Sequence, residues 1–511
     1  MIAAAFAVLP GYLGQHVLLS ISALVLGLLI SLPLAIVASR VAWLRGPALG
    51  AASVIQTIPG LALLALFYPL LLMLSNFSEQ VFGAGFRALG FLPALLALVL
   101  YSMLPVLRNT ITALVATDPA ILRAARGVGM TPRQSLLLVE LPLAAPVIMA
   151  GVRTAAVWVI GTATLSTPVG QTSLGNYIFT GLQTENWVFV LFGCVAAAAL
   201  ALVVDRLLAL AETGLAQHSR AKVIGAAVGL AIVIGASLVP IIGRAGAPVV
   251  IGTKSFEEQY ILASLIGDKL RDAGFTTSER DGLGSSVIFH ALAAGDVGVY
   301  VDYSGTLWAD QMKRRDTPDR TAVLNGVAAW LKQTQGVRDL GSLGFENAYA
   351  FAMRRDVAQR YGIHSIADLA TYAPNMKIGG DYEFFGRPEW AAVKKAYGLN
   401  FAVMRQYQSN FMYRALQDGD VDVIAAFSSD GRIAQYHLQL LSDPRHALPP
   451  YDAVLLISPK YAHDRKLIDA LKPLIGAINL SAMQHANLMV DRQTDKRSPA
   501  EAANWIEQQL H

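Results

Sequence analysis

The residues of this chain with types and spacing suited to chemistry fall into two stretches of different kinds. In the second half, polar and aromatic residues gather where apolar runs end: VVIGTKSF, VGVYVDYSGT, MKIGGDYEFFGR and VDVIAAFSSDGR each read as a buried strand passing into a loop. Strands alternating with helices indicate parallel sheets, whose ligands sit at the carboxyl ends of the strands, so the clusters stand where a binding cleft would be. In the first half, residues 122–146 (LRAARGVGMTPRQSLLLVELPLAAP) carry Arg123, Arg126, Arg133 and Glu140 between two apolar runs, each long enough to cross a bilayer. The small residues Ala124, Ala125 and Gly129 let another protein's surface come close to the backbone, and Pro142 and Pro146 restart the chain into the membrane. The chemistry of this stretch is docking; an ordinary basic loop is the alternative.

Neither stretch points to bond-making. No Gly-Lys pair precedes a Ser or Thr, so there is no G-x-x-x-x-G-K-[ST] phosphate loop and the chain is not expected to hydrolyse ATP itself. The nine histidines show no metal-ligand spacing, and no nucleophile–base arrangement stands out, so neither a metal nor a cofactor is expected. The single cysteine, Cys194, lies in an apolar run and reads as a small packing residue.

The elements that must position these stretches differ between the halves. Residues 1–247 hold 12 of the 40 Lys and Arg and 6 of the 36 Asp and Glu, which leaves 28 and 30 for an ordinary soluble half. The net charge of +4 carries no nucleic-acid signal. A span needs about 20 mostly apolar residues, and six candidates fit, at 17–39, 48–74, 92–116, 142–164, 187–211 and 222–243. In QTIPGLALLAL, Gln56, Thr57, Pro59 and Gly60 interrupt the second candidate, as a packing kink or as part of a translocation path. Arg40, Arg45, Arg108, Arg123, Arg126, Arg133, Arg206, Arg220 and Lys222 fall in alternate loops, against Arg87 alone in the others, which places the loop at 122–146 in the cytoplasm and everything after Pro248 outside it. The N-terminus lacks the positive segment of a cleaved signal peptide, so the first run is expected to stay in the membrane. The expected organisation is a transmembrane domain at 1–243, a linker at 244–247 and a binding domain at 248–511. AYAFAM and AVLLISP read as crossover strands between two lobes, 248–347 with 456–511, and 348–455.

On these residues the stretch at 122–146 resembles the EAA loop of ABC importer permeases: Glu-Ala-Ala, three residues, Gly, and a later Leu-Pro. The resemblance implies that Ala124, Ala125, Gly129, Leu141 and Pro142 form a coupling helix seated on a separate ATPase subunit, with Arg123 where the family usually has Glu. A second resemblance covers nearly all of 248–511. GTKSFEEQYIL is similar to the GSKxFTEQ opening of quaternary-amine binding proteins of osmoprotectant importers. VYVDYSGT, LGFENAYAFAM and YRALQDGDVDVIAAFSSDGRI match further segments in the same order. Together they imply a six-span α-helical bundle of the importer permease type fused to an α/β two-lobed binding domain of the type II periplasmic class.

By this resemblance Tyr303, Tyr349, Tyr413 and Phe427 form an aromatic cage, with Phe427 where Tyr is common. A trimethylammonium group has no N–H to donate, and desolvated ring faces hold it at about 0.5–2 kcal/mol each. Lys254 and Thr306 map onto polar contacts, and Arg387 onto a carboxylate clamp whose planar fork binds two oxygens; an interlobe salt bridge is the alternative for Arg387. Glu257 replaces a family Thr, and Trp308 and Trp390 read as packing residues. An unpaired guanidinium in a closed cleft is costly, so a betaine-type zwitterion should bind better than choline. The implied function is ATP-driven import of glycine betaine, choline, carnitine or a betaine such as ergothioneine, by two copies of this chain with two ATPase subunits in a bacterial plasma membrane. A ligand-gated receptor or channel is the rival, against which the coupling loop counts, and a membrane-anchored enzyme is a weaker third.

Overall fold

The computed structural model describes every residue except 1, 83–85, 87–88, 185, 243–247, 317, 493 and 511. The expected linker at 244–247 and Arg87 lie outside the described residues. The chain divides into a helical unit and a mixed α/β unit.

Helices in the first unit are α1 (Ile2–Arg40), α2 (Ala42–Thr57), α3 (Gly60–Phe82), α4 (Phe91–Val115), α5 (Pro119–Gly127), α6 (Pro132–Ser135), α7 (Leu141–Ala163), α8 (Gly175–Gln183), α9 (Trp187–Ala216) and α10 (Arg220–Ile242). Among the described residues six stretches are long and apolar enough to cross a membrane: Ala5–Arg40, Gly60–Phe82, Phe91–Val115, Pro132–Val169, Trp187–Ala216 and Arg220–Val239. The second span differs from the expected 48–74, because the chain leaves helical geometry at Ile58, before Pro59, and divides into α2 and α3. The break is covered from α4: the Tyr101 hydroxyl donates to the Ile58 carbonyl at 2.5 Å, and Gln56 Nε2 donates to the Tyr101 carbonyl at 3.3 Å. Such cover is what lets a broken helix persist in lipid, where water cannot satisfy the freed groups. The helices α1, α4 and α7 pack closely through small residues: a Cβ on Gly27 would stand 1.9 Å from Ser102 Oγ, and one on Gly151 2.8 Å from Asn109 Cβ.

The second unit contains two five-stranded sheets. The first has the order β2 (Thr277–Arg280), β1 (Val249–Gly252), β3 (Val299–Tyr303), β10 (Asp452–Ile457), β4 (Arg338–Glu346). The second has the order β7 (Val403–Tyr407), β6 (Lys377–Asp381), β8 (Val423–Phe427), β5 (Tyr349–Arg354), β9 (Leu438–Leu440). The sheets are mixed rather than parallel throughout. β10 runs antiparallel to β3 and β4, and β5 antiparallel to β8 and β9. Each of these two strands follows a direct connection from the other sheet instead of a crossover helix, so the constraint that makes βαβ units parallel does not act on it. β10 pairs only within the first sheet, so the second crossover falls before Asp452. Val249, Ile251, Val299, Val301, Leu455 and Ile457 are buried on the first sheet, and helix α11 (Glu257–Asp272) lays Ile261, Leu265 and Ile266 into the same core.

Candidate ligand-binding site and coupling loop

Strand register brings the first two aromatic residues together. Tyr349 opens β5 and Phe427 closes β8, and the antiparallel register places them directly opposite each other. Opposed residues share a face of a sheet, and their rings lie 5.2 Å apart. Phe256, in the loop between β1 and α11, stacks on Phe427 at 5.9 Å with an 8° interplanar angle and meets Tyr303, the last residue of β3, at 6.1 Å. Four rings from both sheets thus form one continuous wall. A cation between two ring faces needs room for itself, and rings stacked at 5.9 Å leave none, so Phe256 and Phe427 form one shared wall rather than two jaws. The motif reading passed over Phe256, although it too is an aromatic residue in a loop at the carboxyl end of a strand.

Hydroxyl groups anchor the wall from behind. Tyr303 donates to Glu258 Oε1 at 2.5 Å and accepts from Gln259 Nε2 at 3.0 Å. The buried Glu258 also accepts from Ser429, Asn347 and Asn487. Burial pushes its carboxyl above the usual range, against the lowering effect of those hydrogen bonds. Tyr349 donates to Asp381 Oδ2 at 3.1 Å.

A polar end adjoins the wall. Lys254 Nζ is 2.5 Å from Asp302 Oδ1 and 5.2 Å from the centre of the Tyr303 ring. Arg387 is buried 5.5 Å over the Tyr349 ring, and its Nη2 donates to Thr306 Oγ1 at 3.3 Å. Its fork differs from the expectation of a guanidinium without an anionic partner. Nη2 lies 2.9 Å and Nε 3.3 Å from Glu389 Oε1, while Nη1 is 3.1 Å from Asp310 Oδ2 and 3.2 Å from Glu383 Oε2. The Tyr451 hydroxyl donates to Glu389 as well. A cavity of about 440 Å³ borders Arg387, Glu389 and Trp308, and one of about 600 Å³ borders Tyr349, Glu346 and Arg320.

Tyr413 stands apart from the wall. It lies on the helix Ser409–Gln417, fully buried in an apolar cluster with Met412, Leu416, Ile424 and Ala426. Its hydroxyl accepts from the Phe427 amide at 3.0 Å, and the Arg432 guanidinium lies 4.4 Å over its ring. The face that the resemblance offers to a ligand cation is covered by the chain's own cation. Arg432 in turn pairs with Glu257 at 2.5 Å, Asp430 at 2.6 Å and Asp491 at 3.5 Å. These carboxylates are close enough together to hold a metal ion, but they already share this guanidinium. Trp390 packs among Phe384, Phe385 and Phe401, and Trp308 is buried with its indole N–H on the Asp316 carbonyl.

In the helical unit, Asp118 caps α5 by accepting from the Ala120 amide at 2.7 Å, with Pro119 at the first helical position. Gly129 turns the chain at φ +82°, where a side chain would be strained, and Thr131 and Gln134 form a capping box that starts α6. Ala124 and Gly129 are exposed with Arg123, Arg126 and Arg133, whereas Ala125 packs inward. The expected restart at Pro142 is instead a wide turn, Leu136–Glu140, that runs on into α7 without a break. Such a turn relieves the clash between a proline ring and the carbonyl one turn back. Within it Glu140 is buried, 2.5 Å from Arg40 Nη2 at the end of α1, and accepts from Ser135 Oγ at 3.1 Å.

Residues 247–508 match the family described as the substrate binding domain of the ABC-type glycine betaine transport system. Residues 23–217 match the inner membrane component of binding-protein-dependent transport systems. Over 465 residues the chain is 28% identical to an ergothioneine transport permease/ergothioneine binding protein of Helicobacter pylori (strain G27), covering 87% of this chain and 80% of that one. It is 42% identical over 198 residues to a choline transport system permease protein of Bacillus subtilis (strain 168), covering 39% of this chain and 84% of that one. To a carnitine transport binding protein of Listeria monocytogenes it is 29% identical over 250 residues, covering 47% and 80%. The membrane component and the substrate-binding component of an importer are joined here in one chain.

Proposed function

The chain belongs to the ABC-type glycine betaine transport family, and from that premise we propose that it imports a small quaternary-ammonium solute, with ATP hydrolysed by a separate subunit docked on the loop at 122–146. The observation that carries the ligand class is the wall of Phe256, Tyr303, Tyr349 and Phe427 beside Lys254, Thr306 and Arg387. Ring faces attract a methylated ammonium without needing a donor from it, and the adjoining charged end suits a second polar group on the same molecule. Glycine betaine, choline, carnitine and ergothioneine, named for the family or for the relatives above, all have this form. In this reading the α/β unit, with one lobe at 248–347 and 452–511 and the other at 348–451, is extracytoplasmic. Two copies of the chain assemble with two ATPase subunits, and tethering keeps each binding unit at high effective concentration near the membrane entrance.

Calorimetry on the full chain in nanodiscs tests the ligand class. Affinity should fall stepwise from choline to its dimethyl, monomethyl and primary amine analogues; equal affinities would sink the cage. For the loop, Ala124→Trp is the cleaner probe, because Ala124 is exposed while any side chain at Gly129 adds backbone strain. The variant should bind ligand normally and lose transport in vesicles reconstituted with the ATPase. Unchanged transport would remove the docking assignment.

A further inference from the structure

The donors around Arg387 divide into a sealed side and an open side. Glu389, with no side-chain exposure, holds Nε and Nη2 and is braced by Tyr451. Nη1 faces two carboxylates that keep contact with solvent, Asp310 at 20% side-chain exposure and Glu383 at 45%. Glu383 does more than pair with Arg387. Its Oε2 accepts from the Ser285 hydroxyl at 2.9 Å and its Oε1 from the Ser285 amide at 3.4 Å. Burial opposes its ionisation, but the charges of Lys254 and Arg387 and the Ser285 hydrogen bonds outweigh that and hold its carboxyl below the usual range. A short turn fixes where it stands: Asp381 Oδ1 accepts from the Glu383 and Phe384 amides at 2.7 and 2.9 Å, and Asp381 Oδ2 accepts from Tyr349 of the aromatic wall. One side-chain carboxylate therefore sits among a guanidinium, a serine hydroxyl and a nearby ammonium charge, next to the rings.

We propose that Glu383 is a specificity-determining residue that occupies, with its own carboxylate, the open donors a ligand's carboxylate would take. The proposal rests on the quaternary-ammonium reading above. A zwitterionic ligand must turn Glu383 outward, toward the solvent it already meets, and exchanges one carboxylate for another at Nη1 of Arg387. A ligand without a carboxylate leaves the pair intact. Glu383 thus reduces the preference for zwitterions that Arg387 alone would confer and keeps carboxylate-free ammonium ligands competitive.

The test is calorimetry on the full chain in nanodiscs with glycine betaine and choline, for wild type, Glu383→Gln and Ser285→Ala. Glutamine keeps the shape of the side chain and can still accept from Ser285 but cannot pair as an anion with Arg387. Glu383→Gln should raise the affinity for glycine betaine itself about tenfold, the scale of one charge-assisted hydrogen bond. Ser285→Ala, which loosens Glu383 without changing charge, should shift affinity the same way by a smaller factor and decides the matter if Glu383→Gln fails to fold. Glycine betaine affinity that is unchanged or lower in both variants overturns the proposal, and so does a change confined to weaker choline binding, which loss of a negative charge alone would cause. If neither ligand binds wild type, the cage reading falls and the proposal falls with it.

Discussion

Arg387 and Arg432 are built from the same parts and kept in different surroundings. Each guanidinium meets three carboxylates and lies over a tyrosine ring, Arg387 over Tyr349 and Arg432 over Tyr413. Around Arg432 the partners Glu257, Asp430 and Asp491 are at most 4% exposed. Around Arg387 only Glu389 is sealed, while Asp310 and Glu383 reach solvent. A sealed cluster cannot exchange a partner without leaving a charge in a dry interior, whereas an open one can hand a partner to water. The difference separates a guanidinium locked among its partners from one whose partners can exchange, though both are made of the same chemistry.

Removing each guanidinium is the strongest way to break this comparison. Arg432→Ala leaves several buried carboxylates uncompensated and should cost about 3–5 kcal/mol of stability. Arg387→Ala should cost less, because it strands only the sealed Glu389 while Asp310 and Glu383 can turn outward. Unfolding of the two variants in nanodiscs measures both, and equal losses would erase the distinction. The tyrosines beneath them sharpen it. Tyr413→Ala opens a hole in a packed cluster and should lower stability by about 3 kcal/mol while ligand affinity stays within about twofold. Tyr349→Ala should instead lower affinity by about 1–2 kcal/mol, the loss of one desolvated ring contact. A folded Tyr413→Ala variant that loses affinity like Tyr349→Ala would return Tyr413 to the cage.

A further effect is on pH dependence. Burial, together with the Asp430 charge and against the pull of Arg432, pushes the Glu257 carboxyl up from 4.5 to about 7, and burial pushes Asp491 the same way. A carboxyl with a raised folded pKa binds its proton more firmly in the folded state. Its contribution to stability is full below pH 4.5 and is lost as pH rises through about 7. Glu257→Gln should therefore flatten the fall in stability between pH 5 and 8, by up to ~1.4 kcal/mol per pH unit at the steepest point. Unfolding midpoints across that range measure it, and parallel curves for variant and wild type would show that Glu257 does not titrate there.

What could be read from residues alone followed the strand ends. Lys254 follows β1, Tyr303 ends β3 and Thr306 follows in a short helical turn, all within short sequence motifs, whereas only strand register makes neighbours of Tyr349 and Phe427. For Tyr413 a helix position does not reveal which face meets the sheet, and the motif gives no sign that Arg432, at the start of a later short helix, covers its ring. The partners of Arg387 show both limits. Glu383 and Glu389 flank it in EFFGRPEW and could have been suspected, but Asp310 arrives from the other side of the cleft. The division of the second span at Pro59 was half visible: the proline announced a disturbance, while the tyrosine hydroxyl that makes a full break tolerable comes from another helix.

The ion pair of Glu140 with Arg40 has a mechanical meaning. It pins the start of α7 to the end of α1, so the wide turn after α6 has a fixed bearing on the neighbouring helix. A force applied to α5 and α6 from below would load two membrane spans at once rather than flex a loose segment. Under the docking proposed above, stiffness at that joint, more than affinity at the docking face, would then set how much of an ATPase's stroke reaches the lipid-embedded helices.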